Sequence, residues 1–110
     1  MASAKDFCRL EQINGVSNYI LVRGDGQIIS QNMENAASFA PIITNGGTQC
    51  DTLSTDMGGN RYIHLCIERE SGNDLLIFSL GRYYLGIFKH PESERQEIID
   101  NVIYFLKNLS

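Results

Sequence analysis

The chain has 110 residues, a formal net charge of −4 and a hydrophobic share of 43%. We expect a single domain spanning residues 1–110, because a chain of this length buries roughly two-thirds of its unfolded surface around one core. The acidic balance argues against nucleic acids and anionic membranes as partners, since both are bound by basic surfaces.

The first residues and the cysteines indicate the compartment. Residues 1–6 are polar and lack the apolar core of a signal peptide, and no apolar run is long enough to cross a bilayer. Cys8, Cys50 and Cys66 are an odd number of cysteines with no short spacing between them. This usage is typical of reduced thiols, so the sequence predicts a cytoplasmic protein.

The first half of the chain predicts a short helix at residues 3–14 and then a hairpin. An Asp-Gly pair lies between extended runs at residues 16–23 and 27–31, and such a pair is a strong hairpin signal. In the first run Ile20 and Val22 alternate with two further apolar residues, Tyr19 and Leu21. We therefore expect a sheet that is covered on both faces.

A long amphipathic segment runs from about residue 34 to residue 58. Apolar or small residues recur every three or four positions, which is the spacing of a helix. Pro41 lacks an amide donor and is best tolerated in a first turn, so we expect the helix to start close to Pro41. Gly46-Gly47 costs about 1 kcal/mol per glycine in a helix interior, and we expect this pair to let another backbone come close.

Three strands and a closing helix complete the chain. Residues 61–68, 75–80 and 83–89 have the patterns of strands, and their succession predicts an antiparallel meander. The closing helix is expected to begin near Glu92, with Ser93 and Gln96 as a capping box.

No motif for chemistry rises above background. Gly24-Asp25-Gly26 starts like a dinucleotide fingerprint, but a strand follows it instead of a helix. His64 and Cys66 lie two residues apart on one predicted strand, whereas a closed zinc site needs four ligands. We therefore expect no catalytic residue, no cofactor and no metal site. An enzyme that uses Cys50 or Cys66 as its nucleophile stays open as a less supported alternative.

Three stretches carry a resemblance over nearly the whole chain. Leu10-x-x-Ile13-x-Gly15-Val16 leads into the hairpin Tyr19-Ile-Leu-Val-Arg-Gly-Asp-Gly-Gln-Ile-Ile-Ser30, and Tyr84-Leu-Gly-Ile-Phe88 precedes the closing helix. With the order of elements, they resemble the roadblock family, which includes dynein light chain 7 and bacterial partners of Ras-like GTPases. The resemblance implies an α+β fold: a five-stranded antiparallel sheet with the long helix on one face and the N- and C-terminal helices on the other.

The resemblance also implies a function, since members are non-enzymatic, form homodimers or family heterodimers, and bind small GTPases or act as scaffolds. The dimer is expected to use the long helix and an exposed edge strand at residues 61–67, because proteins cover or pair such edges. The residues expected at the dimer interface are Gly47, Cys50, Leu53, Tyr62, His64 and Cys66. The residues expected to bind the partner are small or polar positions of the long helix, Thr44, Thr48, Asp51 and Thr55.

A PAS-like sensor domain is the alternative, because its order of strands and helices is similar. Such a domain would hold a small ligand between helices and sheet. Against it, the middle segment has the pattern of one helix, and strands covered on both faces leave little room for a pocket.

Overall fold

The computed structural model describes residues 4–56, 64–80 and 82–108, with the side chains of residues 4, 5 and 53–56 outside this description. The elements follow one another in the predicted order. They are α1 (Ala4–Phe7), a 3-10 helix that continues it (Cys8–Gln12), β1 (Val16–Arg23), β2 (Ile28–Gln31), α2 (Ala36–Asp56), β3 (His64–Ile67), β4 (Leu75–Ser79), β5 (Tyr83–Lys89) and α3 (Arg95–Lys107).

The strands form one five-stranded sheet in the order β2-β1-β5-β4-β3, and all neighbours are antiparallel. In the centre of the sheet, Leu21 of β1 pairs with Leu85 of β5. Toward the other side, Ile77 of β4 lies between Gly86 of β5 and Leu65 of β3. The predicted α+β fold with a hairpin and a three-stranded meander is confirmed, and β2 and β3 are the edge strands.

The sheet is buried on both faces because its strands direct alternate apolar side chains into two separate cores. The core on the side of α3 and the N-terminal helical turns consists of Phe7, Leu10, Val16, Tyr19, Leu21, Leu76, Phe78, Leu85, Ile87, Ile98, Ile99, Val102 and Leu106. The core on the side of α2 consists of Ile20, Val22, Ala36, Ala40, Ile43, Leu75, Ile77, Tyr84 and Phe88. The opposite orientations predicted for successive residues of β1 are therefore confirmed.

The glycines of α2 bring the helix backbone down onto the sheet. A Cβ added at Gly46 would lie 2.6 Å from the side chain of Ile77, and one added at Gly47 would overlap the ring of Tyr84. Both separations are shorter than van der Waals contact, so position 47 requires glycine, and a larger residue at position 46 would require the end of the Ile77 side chain to shift. The close backbone approach predicted for this pair takes place within the chain.

The start predicted for the long helix is wrong, since α2 begins at Ala36, more than one turn before Pro41. A proline inside a helix removes one hydrogen bond and costs about 3 kcal/mol. The helix extends past it because Ala36 and Ala40 are buried against the sheet, while Pro41 is exposed. Burial of the first turn outweighs the local preference of proline for a helix start.

The other two helices also begin or end differently from the prediction. The N-terminal helix is a single α-helical turn followed by a 3-10 helix that ends at Gln12. The capping box predicted at Ser93 and Gln96 is wrong, because α3 begins at Arg95 and its N-cap residue, Glu94, makes no side-chain capping bond. Ser93 belongs instead to a turn in which its amide donates to the carbonyl of His90 at 3.1 Å.

Candidate functional site: the outer face of the long helix and the edge of the sheet

The outer surface of α2 carries no charge over the part of the helix whose side chains are described. Every exposed residue of this helix between positions 36 and 52 is small, polar or apolar, and none is ionisable. We call this surface the α2 face, and it consists of Ala37, Ser38, Pro41, Ile42, Asn45, Thr48, Gln49 and Thr52. Ile42 keeps 44% of its surface accessible. Exposed helix faces are ordinarily charged, and the depletion of charge is a property of interface centres.

An open groove of about 700 Å³ runs along the α2 face beside the turn of the β1–β2 hairpin. It is lined by Asp25, Gly26, Ile28, Ala37, Ala40, Pro41, Thr44, Asn45 and Thr48. The groove lies outside the sheet layers, whereas the sensor alternative places its ligand between helix and sheet. Within the turn the Asp25 carboxylate lies 2.7 Å from the Arg23 guanidinium and accepts from the amide of Gln27 at 3.1 Å, and these contacts lower the pKa of Asp25 to about 2.

Two of the predicted partner-binding residues lie beside one another at this surface. Thr48 is exposed and donates its hydroxyl to the carbonyl of Thr44 at 2.9 Å. Thr44 is half-buried and donates to the carbonyl of Ala40 at 2.8 Å. Their donors are therefore satisfied inside the helix, and their desolvation by a partner is inexpensive. The side chain of Thr55 lies outside the described residues.

Asp51 lies at the inner edge of α2 and is engaged within the chain. Its carboxylate accepts one hydrogen bond from the hydroxyl of Ser79 and another, of 2.9 Å, from the hydroxyl of Tyr84. These bonds tie α2 to the ends of β4 and β5. The structure thus gives Asp51 an internal role, and its contact with a partner stays a prediction.

The residues predicted at the helical part of the dimer interface face the chain's own sheet. Gly47 lies against the ring of Tyr84. Cys50 is buried and donates its thiol to the carbonyl of Ile77 at 3.7 Å, and burial raises the pKa of this thiol. Their place in a dimer interface stays a prediction, while Leu53 and Tyr62 have side chains outside the described residues.

The edge strand β3 directs His64 and Cys66 to the α3 side of the sheet. The ring of His64 lies 5.5 Å from that of Phe78, and Cys66 packs against the same core. Both residues are half-buried, and burial raises the pKa of the Cys66 thiol. The alternate residues, Leu65 and Ile67, pack against the core on the α2 side.

Lys89 is a buried cation that sequence reasoning placed only at the end of a strand. Its side chain is part of a residue with 6% exposure, and its ammonium donates to the carbonyls of His90, Pro91 and Ser93 at 3.1 to 3.2 Å. The amide of Lys89 donates to the carbonyl of Asp74 at 2.9 Å. The ammonium thereby fixes the turn that leads into α3, where no side-chain cap is present.

A buried carboxylate, Asp74, pairs with the half-exposed Arg95 at the same end of the sheet. The Arg95 guanidinium lies 3.0 Å from the carboxylates of both Asp74 and Glu68. The amide of Arg69 donates to Asp74 at 3.2 Å and, with Arg95, holds the pKa of this carboxyl below its usual value. Arg95 lies 27 residues from Glu68 and 21 residues from Asp74 in the chain, so this contact has no local sequence signal.

Within residues 4–56, 64–80 and 82–108, the structure brings together no group of three or more His, Cys, Asp or Glu side chains that could hold a metal ion. No helix of the described part of the chain is long and apolar enough to cross a membrane. The two features of the described residues that remain as candidate binding surfaces are the uncharged α2 face and the edge strand β3.

Comparison with known proteins identifies the fold through structure alone. No model of a known protein family matches the chain, and no curated protein is significantly similar to it in sequence. The roadblock/LC7 domain from Streptomyces avermitilis is 14% identical with a TM-score of 0.74, and the match covers 97% of this chain and 93% of that one. MglB, a gliding protein from Thermus thermophilus, is 11% identical with a TM-score of 0.71, covering 96% and 83%.

Profilin IB of Acanthamoeba castellanii is also similar, at 11% identity and a TM-score of 0.67, with 97% of this chain and 96% of that chain covered. A further solved structure is of MglB in a tetrameric arrangement. The sheet and its helix layers therefore define an α+β fold that roadblock domains share with profilins. The chain has the roadblock fold, as its sequence pattern predicts.

Proposed function

We propose that this protein is a non-enzymatic roadblock-type scaffold that forms a dimer and binds a Ras-like small GTPase on its α2 face. The observation that carries the proposal is the absence of charge from every exposed position of α2 between residues 36 and 52. A surface of small and uncharged groups is inexpensive to desolvate, which suits a protein partner. The class of partner comes from the resemblance to roadblock proteins.

The dimer forms through β3, whose outer edge has no neighbouring strand in the sheet order of the described residues. The side chains of this edge strand, His64–Ile67, include none of the lysines, prolines or carboxylates that keep free edges apart. Pairing two such edges around a two-fold axis continues the sheet and brings two copies of α2 onto the same side. The tetrameric arrangement of an MglB supports self-association as a property of this fold.

The cysteine chemistry supports a scaffold over an enzyme. A nucleophilic cysteine acts as a thiolate and has a lowered pKa. Burial instead raises the pKa of both Cys50 and Cys66, which is the direction opposite to that of an activated nucleophile. The proposed role of the protein is therefore to hold its partner and not to catalyse a reaction. The proposed place of action is the cytoplasm.

The test is binding of purified Ras-like GTPases of the source organism, each loaded with GDP or a GTP analogue, measured by titration calorimetry. Gln49→Glu adds a charge to the α2 face without changing side-chain size, and Gln12→Glu makes the same change on the opposite side of the sheet. We expect Gln49→Glu and Thr48→Glu to weaken binding at least about tenfold, since an unpaired charge is buried by the partner. Gln12→Glu should bind like wild type.

Two results would overturn the proposal. One is a protein that binds none of these GTPases in either nucleotide state. The other is binding that survives both α2 substitutions and is lost in Gln12→Glu, which would put the partner on the N-terminal and α3 side. Circular dichroism of each variant confirms that the fold is retained.

A further inference from the structure

We propose that two copies of this chain bind one zinc ion across their paired β3 strands, through His64 and Cys66 of each copy. The inference rests on the dimer of the proposed function and adds a metal site to it. One chain supplies two ligands, and the described residues of one chain hold no group of three. The second copy, related by the two-fold axis, supplies two more ligands, and the four ligands form a closed Cys2His2 set.

The hydrogen bonds of the meander determine which backbone groups face the open edge. The amide of Lys89 donates to the carbonyl of Asp74, and the amide of Leu80 donates to that of Tyr83. Hydrogen-bonded pairs alternate along an antiparallel ladder, so the even-numbered residues of β4 bond to β5. Its odd-numbered residues must therefore bond to β3.

The pairing of β3 with β4 then determines which residues of β3 form hydrogen bonds to β4. Leu65 pairs with Ile77, and Ile67 pairs with Leu75. These odd-numbered residues of β3 bond to β4. The amides and carbonyls of the even-numbered residues therefore point outward from the free edge of the sheet. His64 and Cys66 are the residues that offer their backbone to a second strand, and their side chains lie together on the α3 side.

Symmetry then limits how two β3 strands can pair. Residues opposite one another in an antiparallel pair have their side chains on the same face of the sheet. A two-fold axis centred on Leu65 satisfies this rule. It also uses the outward-facing amides and carbonyls of His64 and Cys66 in each copy. It places His64 opposite the partner's Cys66, with the Cβ atoms about 4.5–5.5 Å apart. The four side chains then surround the axis on one face.

The four side chains have the chemistry of a structural zinc site. Thiolate sulfur binds zinc at about 2.3 Å and imidazole nitrogen at about 2.0–2.1 Å, in a tetrahedral arrangement. Two thiols release two protons to solvent as the ion binds, and the resulting complex of Zn²⁺ with two thiolates and two neutral imidazoles has no net charge. Both residues are half-buried and not fully covered, so the ion has a path to them.

The test combines native mass spectrometry with cobalt substitution. Protein stripped of metal with a chelator is titrated with zinc chloride, and its mass is measured with and without the ion. We expect one zinc per two chains, and a tetrahedral cobalt spectrum with a thiolate charge-transfer band when Co²⁺ replaces zinc. Cys66→Ser and His64→Asn should each lower zinc affinity about 100-fold or more. Cys8→Ser and His90→Asn are matched controls, because both residues are exposed, and they should bind zinc like wild type.

The outcomes separate this proposal from the dimer on which it rests. A metal-free dimer that takes up no zinc overturns the zinc site and leaves the dimer standing. One zinc per single chain, or zinc binding that is lost in Cys8→Ser, also overturns it. A protein that stays monomeric with and without zinc overturns the dimer and the zinc site together.

Discussion

α2 and α3 cover opposite faces of one sheet, yet they present different surfaces to solvent. The exposed residues of α2 up to Thr52 are all uncharged, whereas α3 exposes Glu97, Asp100 and Lys107. Both helices bury an apolar stripe, so packing against the sheet does not explain the difference. A helix that only covers a core is charged outside, as α3 is. The uncharged exterior of α2 is instead typical of a surface that another protein covers, as the proposed function expects.

The two helices are also attached to the sheet in different ways. The backbone of α2 lies directly on the sheet at Gly47. One turn further along the helix, Asp51 accepts hydrogen bonds from two hydroxyl groups. The start of α3 is fixed by charged groups, through the buried ammonium of Lys89 and the Arg95–Asp74 ion pair. Substitutions on the two sides should therefore change the free energy of unfolding by different amounts, and these changes should depend differently on pH.

The largest effect is expected for Gly47→Leu. The new side chain would overlap the ring of Tyr84, which even an added Cβ would already meet. We expect a loss of about 3 kcal/mol or more in the free energy of unfolding, measured by urea denaturation. Gln49→Leu, at an exposed position of the same helix, should change it by less than about 0.5 kcal/mol. Unchanged stability with a weakened dimer would instead place Gly47 at the seam between two copies.

A smaller effect is expected for Asp74→Asn on the α3 side. The carboxylate accepts from the amide of Arg69 and from Arg95, and losing these charged hydrogen bonds should cost about 2 kcal/mol at pH 7. The folded-state pKa of Asp74 is lowered, so its contribution is present above the unfolded value of about 3.9 and is lost as pH falls through the folded value.

Urea denaturation between pH 7 and pH 2 measures this directly. The gap in stability between wild type and Asp74→Asn should be full at pH 7 and should close in acid. Glu97→Gln, a change at an exposed position of α3, serves as the control and should leave the pH profile of wild type intact. A gap that is constant with pH would contradict the charged contact.

The smallest effect on stability is expected for Asp51→Asn. Asparagine keeps the shape and one good acceptor, so one of the two hydroxyl bonds from Ser79 and Tyr84 becomes weaker, at a cost of about 1 kcal/mol. Thermal unfolding measures the loss. If Asp51 contacts the partner as the sequence pattern predicts, the variant will also lose affinity for the GTPase. Full stability with lost affinity would contradict the internal role.

Local patterns predicted most of the fold. Alternation along residues 19–22 of β1 placed each side chain on its correct face, because the period of a strand is local. The start of α2 was wrong because the rule for Pro41 is local, whereas burial of Ala36 and Ala40 depends on the whole sheet. The capping box at Ser93 failed for a similar reason, since a buried lysine from the neighbouring strand fixes that turn.

The candidate site was less predictable than the fold. The spacing of Thr44 and Thr48 on one helix was enough to place them near one surface, and both line the groove, while their contact with a partner stays a prediction. Predicting that Gly47 and Cys50 face inward requires knowledge of how α2 is rotated about its own axis. This rotation depends on the packing of the helix against Tyr84 and Ile77. The contact of Asp74 with Arg95 joins residues far apart in sequence and has no local signal.

The most direct test of the central claim uses the exposed apolar residue on each side. Ile42 on the α2 face is 44% exposed and Tyr104 on α3 is 71% exposed, so neither side chain supports a core. Glutamate is introduced at each position, and the dissociation constant for the GTPase is measured. We expect Ile42→Glu to raise this constant about 100-fold or more and Tyr104→Glu to change it less than about twofold. The reverse result, with binding lost only in Tyr104→Glu, would contradict it.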